Sequence, residues 1–538
     1  LKDFGLTDSL YIKMNARGKP LTDFENFKAK FEQLLKKHDK DNNTQIAPYF
    51  EKKIDTKWTD IFWDFRNEKD HLFDKEFMNF VRVVATNSVA SKEDPDFQVL
   101  KSMTKDKAEY GFYELETYDA FNGQGISDLI SFLDAIDNNG AFKTYLDSKD
   151  IINEEQLFLD VTNYELTYIK RLQFFAFYKY IDYNQGDDGI AEWARVIRNL
   201  TANSVYRQVD SFETALKSII KMLPYSSKIL EFLRNENKPN GFLKFQLDEE
   251  EVKAHLISKS KDWEDRIKEI ENNKYFNGQI EFLLDFSGIS EFFKNFKNCN
   301  WTEDEDIEFR SNFDYYAKRA SALFPENGLK DLKDFKFERA LLSIGDYTLQ
   351  KGRNRSFLID VDREIGWKRL LRDSENKKRH YVKTLFDQIK DISNLENELD
   401  KIINSVNITD WRRYFIEHPE VIKKCGKEKF FRVNHYLGYR DILILEKRQT
   451  NGMHREYYTY GLCWILRKKG NKVNYKSENS VDLEKYISHI NGHKVEISYD
   501  TVSEDKNGGF IVETERDYEV FYEESEVIKY LNELEILN

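Results

Sequence analysis

Thr22-Asp23-Phe24-Glu25-Asn26-Phe27-Lys28-Ala29-Lys30-Phe31-Glu32-Gln33-Leu34 contains a complete helix start. Thr22 offers its hydroxyl to the free N–H groups of the first turn, and Glu25 reaches back to the Thr22 N–H, the arrangement of a capping box. Phe24, Phe27, Phe31 and Leu34 then recur at helical spacing, so one face of the helix is apolar and faces a core.

The same pattern extends along most of the chain. Residues 46–90 read as two further helices carrying Trp58, Phe62, Trp63, Phe65, Phe73, Phe77 and Phe80. Residues 125–182 continue in this style and end in a long helical stretch from Leu157 to Ile181. Trp193 to Leu200 is again helical, and helices are expected to about residue 325. Composition agrees: 41 Phe and 15% aromatics supply the interior, while 7 Pro and 23 Gly in 538 residues leave few breaks. High charge with little Pro or Gly points to long, solvated helices.

The character changes near residue 405. Phe430–Val433, Ile442–Leu445, Tyr457–Leu466, His493–Ser498 and Phe510–Tyr522 are β-branched and aromatic runs bounded by Gly and Asn, which predicts strands. A closing helix is expected over Ser525–Leu537. The fold class predicted is therefore mainly α, a multi-helical body followed by a small α+β C-terminal domain. Its expected parts are a junction over 1–40, a helical domain over 41–325, a basic helical segment over 326–404 and the α+β domain over 405–538.

Cys299, Cys425 and Cys463 stand far apart, with no Cys-x-x-Cys pair. That disfavours a disulfide framework or zinc knuckle and suggests a reducing, cytoplasmic setting. No apolar run approaches the roughly 18–20 residues of a membrane span. The chain opens Leu1-Lys2-Asp3-Phe4 without an initiator methionine or a signal-like apolar run, and it reads as lacking an upstream part.

Net charge is −13, which argues against a protein coated in nucleic acid but leaves room for a local basic groove. Asp500–Asn538 carries 12 acidic residues against 3 basic ones, whereas Lys351–Lys383 carries 11 Lys/Arg against 5 Asp/Glu. In the basic segment, Arg353, Arg355, Lys368, Arg369, Lys377, Lys378 and Arg379 are interleaved with Phe357, Trp367 and Tyr381. That composition suits a surface tracking a DNA backbone, with salt-sensitive affinity. The plainer alternative is a solvated helix face, with Glu364 and Lys368 as an i,i+4 pair.

Upstream of the capped helix, Leu10-Tyr11-Ile12-Lys13-Met14-Asn15-Ala16-Arg17-Gly18-Lys19-Pro20-Leu21 resembles the Asn-x-Arg-Gly-x-Pro-Leu element of GmrSD-type restriction proteins. The resemblance covers about the first 30 residues. It implies a role in anti-phage DNA restriction, with this chain as the helical and C-terminal part. The family's ParB/sulfiredoxin-like N-terminal domain, expected to be missing here, carries an Asp-Gly-Gln-Gln-Arg motif. For the full-length protein the resemblance implies a nucleoside triphosphate, a divalent metal and an endonuclease-related activity. This chain has no Asp-Gly-Gln-Gln-Arg. Ser343-Ile344-Gly345-Asp346-Tyr347-Thr348-Leu349, followed by Asn354-Arg355-Ser356-Phe357, faintly resembles part of an HNH nuclease core. The nearest upstream histidine is His255, so such a core would be degenerate. Asp410-Trp411-Arg412-Arg413-Tyr414-Phe415-Ile416 is similar to the C-terminal region of large members, with no chemistry attached.

Two candidate sites follow from the residues. Asn15, Arg17, Gly18 and Lys19 precede a helix N-terminus, where free N–H groups and the dipole favour an anion such as a nucleotide or DNA phosphate. A structural turn explains the same residues. His454 and Glu456 lie two apart in a strand-like run and would share one face, suited to proton exchange or to an ordinary surface pair. No metal-ligand spacing is present, and Asp441 with Glu446-Lys447 has the wrong spacing for an Asp…Glu-x-Lys nuclease centre. Val495-Glu496-Ile497 lacks the following lysine, and His489 and His493 lack the glutamate of a zinc protease helix. The catalytic residues therefore stay unassigned. Three functions remain open: DNA positioning or nucleotide relay in a restriction protein, a helical protein–protein scaffold without nucleic acid, and an intact enzyme whose site follows no recognisable motif.

Overall fold

In the computed structural model, which describes residues 21–538 except 67–71, 106–109, 205, 236–237, 327–328, 352–353, 359–362, 373–377, 427–428, 437–438, 448–451, 480–484, 501–507 and 516, the first helix spans Asp23–Asn42. Its capping box is complete: Glu25 N donates to Thr22 Oγ1 at 3.2 Å, and Thr22 N donates to Glu25 Oε2 at 2.8 Å. Phe24, Phe27, Phe31 and Leu35 are buried, so the apolar stripe faces a core as its spacing requires.

The protein is mainly α, with antiparallel sheets in its C-terminal region. It divides into two units. The first comprises the residues up to Ile280 together with Ser290–Thr302; the second comprises Glu281–Ile289 and Glu303–Asn538. Residues from 303 onward, including the stretch expected as a separate basic helical segment, thus belong to one unit.

The first unit is built around helix Asp74–Ala90, on which every residue from Glu76 to Ala90 is buried. A helix buried all round must satisfy its polar side chains internally. Asn79 donates to Thr162 O at 2.7 Å, Arg82 donates to Asn79 Oδ1 and Tyr110 O, and Thr86 donates to Arg82 O. Around it, phenylalanines meet edge to face: Phe62–Phe77 at 5.0 Å and Phe80–Phe174 at 5.7 Å between centroids. Each such pair adds about 1 kcal/mol beyond its burial. A two-stranded ribbon, β1 (Asp137–Asn138) with β2 (Ala141–Phe142), is the unit's sheet among the described residues.

Two helical stretches are shorter than their periodicity predicts. Among the described residues of 46–90 there are three helices, Ile46–Ile54, Lys57–Asp64 and Asp74–Ala90. The stretch from Leu157 to Ile181 is broken between helices Glu154–Thr162 and Tyr168–Asn184. Tyr164 takes a left-handed φ of 59°, and Thr167 caps the second helix through Lys170 N. Apolar periodicity runs through such a break without registering it, because both helices present apolar faces to one core.

Among its described residues the second unit holds two five-stranded antiparallel sheets. One has the order β3 (Leu349–Lys351), β4 (Asn354–Ser356), β5 (Phe430–Tyr436), β6 (Tyr439–Ile444), β7 (Arg455–Glu456). The helices between Arg363 and Lys423 form the long insertion between β4 and β5. The other has the order β12 (Tyr518–Phe521), β11 (Gly509–Glu513), β10 (His493–Asp500), β9 (Lys485–Ile490), β8 (Val473–Ser477). Asn491-Gly492 joins β9 to β10 with φ of 51° and 94°, the left-handed pair that a two-residue type I′ hairpin requires. Helices Tyr457–Lys468 and Glu524–Glu533 contribute Leu462, Leu466, Val527 and Leu531 to one core with Ile487, Ile497 and Val512 of this second sheet.

The run Tyr457–Leu466, expected as a strand, is a helix. Glu456 precedes it as a cap, and Tyr457, Tyr460, Leu462, Cys463 and Leu466 are all buried in the helical form. Aromatic enrichment raises β propensity, but a capped start and burial on a helical face override it.

Candidate functional site

Asn15, Arg17, Gly18 and Lys19 lie outside the described residues, as do Arg353 and Lys377. Among the described residues of the basic segment, Arg355, Lys378 and Arg379 are engaged by internal partners. Arg355, on β4, forms an ion pair with Asp346, which also accepts from Thr348 Oγ1 at 2.6 Å. Lys378 donates to Thr348 O. Arg379 is 4% exposed and is held by Glu281, by Asp285 at 2.8 Å and by Leu371 O at 3.1 Å. Lys368 is half-buried and Arg369 exposed on helix Arg363–Arg372. The faint HNH likeness falls on the β3–β4 hairpin, where the Asp346–Arg355 pair joins its two halves.

His454 precedes β7 and Glu456 ends it, and each is bonded to backbone groups near it in the chain. His454 is fully buried, with Glu446 N 3.2 Å from its Nδ1 and Gly452 N 3.3 Å from its Nε2; a neutral imidazole has one acceptor nitrogen, so it accepts one of these two hydrogen bonds at a time. Glu456 accepts from Tyr458 N at 2.9 Å and from Thr459 N and Oγ1, each at 2.6 Å. A carboxylate at a helix N-terminus satisfies orphan N–H groups and the dipole together. The arrangement makes both residues parts of the scaffold.

A cavity of about 590 Å³ in the second unit is the candidate site. Residues Asn407–Trp411 and helix Arg413–Glu417 form one wall. Tyr457 and Tyr458, at the start of their helix, form a second, and Tyr499 with Phe510 a third. Tyr522 to Ser525 complete it at the start of the last helix. Its volume falls within the roughly 300–1,000 Å³ typical of ligand pockets.

Tyr414 organises these walls. Its ring lies so close to Gly461 that a Cβ there would come within 2.5 Å of a ring carbon, so the glycine lets the two segments meet. Tyr414 N donates to the Tyr457 hydroxyl at 3.0 Å, and that hydroxyl donates to Trp411 O. The Tyr414 hydroxyl donates to Glu524, which also pairs with Arg413. Burial, reinforced by Glu524, holds the Tyr414 phenol well above its ordinary pKa, so it stays a donor. Burial alone would lower Arg413, but its hydrogen bond and charge contact with Glu524 outweigh this and keep the guanidinium charged. Arg413 also lies 5.1 Å from the Tyr414 ring centroid and 3.3 Å from Glu417. Tyr458 and Tyr499 stack at 4.3 Å with 23° between their planes.

This lining supplies aromatic faces and carboxylates, which are binding chemistry. Burial raises the Cys425 thiol far above its ordinary range and Cys463 to about 11, which leaves both as packed thiols rather than nucleophiles. Among the described residues no group of three or more His, Cys, Asp or Glu is placed to hold a metal. No helix among them is long and apolar enough to cross a membrane.

The first unit holds a second concentration of charge. Arg195, Lys253, Glu249, Glu250 and Glu271 are at most 1% exposed. Lys253 Nζ lies 2.6 Å from Glu249, 2.8 Å from Glu250 and 2.7 Å from Glu271, and it donates to Gly278 O at 2.5 Å. Asn199 donates to Glu250 and Glu271, both at 2.9 Å. Burial raises Glu249 to about 7. For Glu271 burial acts in the same direction, but Arg195, Lys253 and Arg198 outweigh it and hold the carboxyl at about 2. Carboxylates and cations compensate one another here, as buried charges require. Sequence reading missed both features. Gln246, Glu249, Glu250 and Lys253 do recur at helical spacing, a signal that reads as an exposed face until the structure buries it.

No family model, curated protein or solved structure matches this chain.

Proposed function

We propose that this chain is the helical body and C-terminal recognition part of a GmrSD-like anti-phage restriction protein. It acts by binding and positioning rather than by cutting DNA itself. The Asn-x-Arg-Gly-x-Pro-Leu element supports the family. The observation that carries a recognition role is the cavity walled by Tyr414, Tyr457, Tyr458 and Tyr499 and edged with carboxylates.

Phage plating on cells expressing the complete protein tests this. The intact protein is expected to lower plating efficiency, and Tyr499→Leu is expected to abolish that protection at unchanged protein level. Absence of protection, or full protection by the variant, overturns the reading.

A second reading, direct DNA contact by the basic segment, draws on exposed Arg369 and its neighbour Lys368. It draws less than the charge count suggests, because Arg355, Lys378 and Arg379 are engaged by internal partners.

A further inference from the structure

The C-terminal cavity has a chemistry that narrows its ligand. Asp410, Glu417, Glu523 and Glu524 line it, against Arg413 alone. Even with Arg412, which grips Asp410 at 2.9 Å, carboxylates outnumber guanidiniums four to two. The chain around the last wall is acidic as well, with 12 Asp/Glu against 3 Lys/Arg over Asp500–Asn538. A phosphate entering here would meet a like charge, at a cost that grows as water is excluded. Tyrosines line the walls: Tyr414 and Tyr457 are buried, Tyr458 and Tyr499 are stacked on one another, and Tyr522 is exposed. A ring face that meets the cavity attracts cations through its quadrupole. The cavity already contains an example of this chemistry: Arg413 lies between Glu524 and Glu417, over the Tyr414 ring.

We infer that the cavity binds a guanidinium or alkylammonium group, presented as an arginine or lysine side chain by a polypeptide partner. The charge balance selects a cation. The aromatic walls favour a weakly hydrated cation over a metal ion. The volume exceeds a single side chain and leaves room for the flanking peptide. This inference rests on the reading of the cavity as a recognition site and adds the chemical class of what is recognised.

The test is titration of the full chain with the peptides Gly-Gly-Arg-Gly-Gly and Gly-Gly-Lys-Gly-Gly, with spermidine and with adenosine monophosphate, followed by calorimetry. Saturable binding of at least one peptide is expected. Tyr499→Leu and Glu417→Gln should each weaken it about fivefold or more, the scale of one cation–π or charge contact. Glu417 is half-exposed, so its variant leaves no buried vacancy, and an unchanged melting temperature confirms folding for both. Peptide binding equal in wild type and variants, binding of spermidine without either peptide, or displacement of peptide by adenosine monophosphate overturns the inference. If no peptide binds while Tyr499→Leu still abolishes phage protection, the recognition site stands and the ligand class is wrong. If protection is untouched by the variant, the recognition reading itself has failed.

Discussion

Arg195 and Glu271 meet with both carboxylate oxygens 3.0 Å from one guanidinium nitrogen, and neither side chain reaches solvent. Removing one partner from such a contact strands the other charge in a low-dielectric interior. Arg195→Met should therefore destabilise the protein by about 3–5 kcal/mol. Denaturant unfolding measures it, and a loss below about 1 kcal/mol would show that the network is dispensable to the fold.

His418 makes the second unit sensitive to acid. Burial, with Lys468, Arg413 and Arg339 nearby, lowers its pKa to about 4. The unfolded chain takes up this proton near pH 6.5, whereas the folded chain resists until about pH 4. The contribution is thus complete above pH 6.5, shrinks as pH falls toward 4 and is flat below. Its full size is about 3 kcal/mol. Stability measured from pH 7 to 4 should fall less steeply in His418→Leu, and identical slopes would refute the assignment.

Glu456 is predicted to act as a cap and not as an acid or base. Glu456→Ala should cost about 1–2 kcal/mol, since two backbone N–H groups of the helix start lose their acceptor. Glu456→Asp should recover part of this. Melting curves decide: an unchanged midpoint in the alanine variant is incompatible with a capping role.

Charge reversals in the basic segment should separate into two kinds. Arg379→Glu sets a third acid against Glu281 and Asp285 and should unfold the second unit or destabilise it by more than about 3 kcal/mol. Arg369→Glu, at an exposed helical position, should stay within about 0.5 kcal/mol. If the segment touches DNA, Arg369→Glu lowers duplex affinity at low salt with the fold intact. Equal DNA affinity before and after that reversal removes this surface as a contact.

What the sequence determined by itself is local. Thr22 and Glu25 are three residues apart, and Phe24, Phe27 and Phe31 share a helix face, each through contacts within a few residues. Such contacts suffice for a mainly helical chain with an α+β end. Tertiary structure decided the rest. It made Tyr457–Lys468 a helix because that form buries its apolar side chains, and it buried Arg379, which in sequence looks like solvent-facing charge. It also assembled the cavity from Trp411 and Tyr414, Tyr457 and Tyr458, Tyr499, and Glu524. More than 100 residues separate the first of these from the last, and no local pattern encodes a site whose parts come from three helices and one sheet.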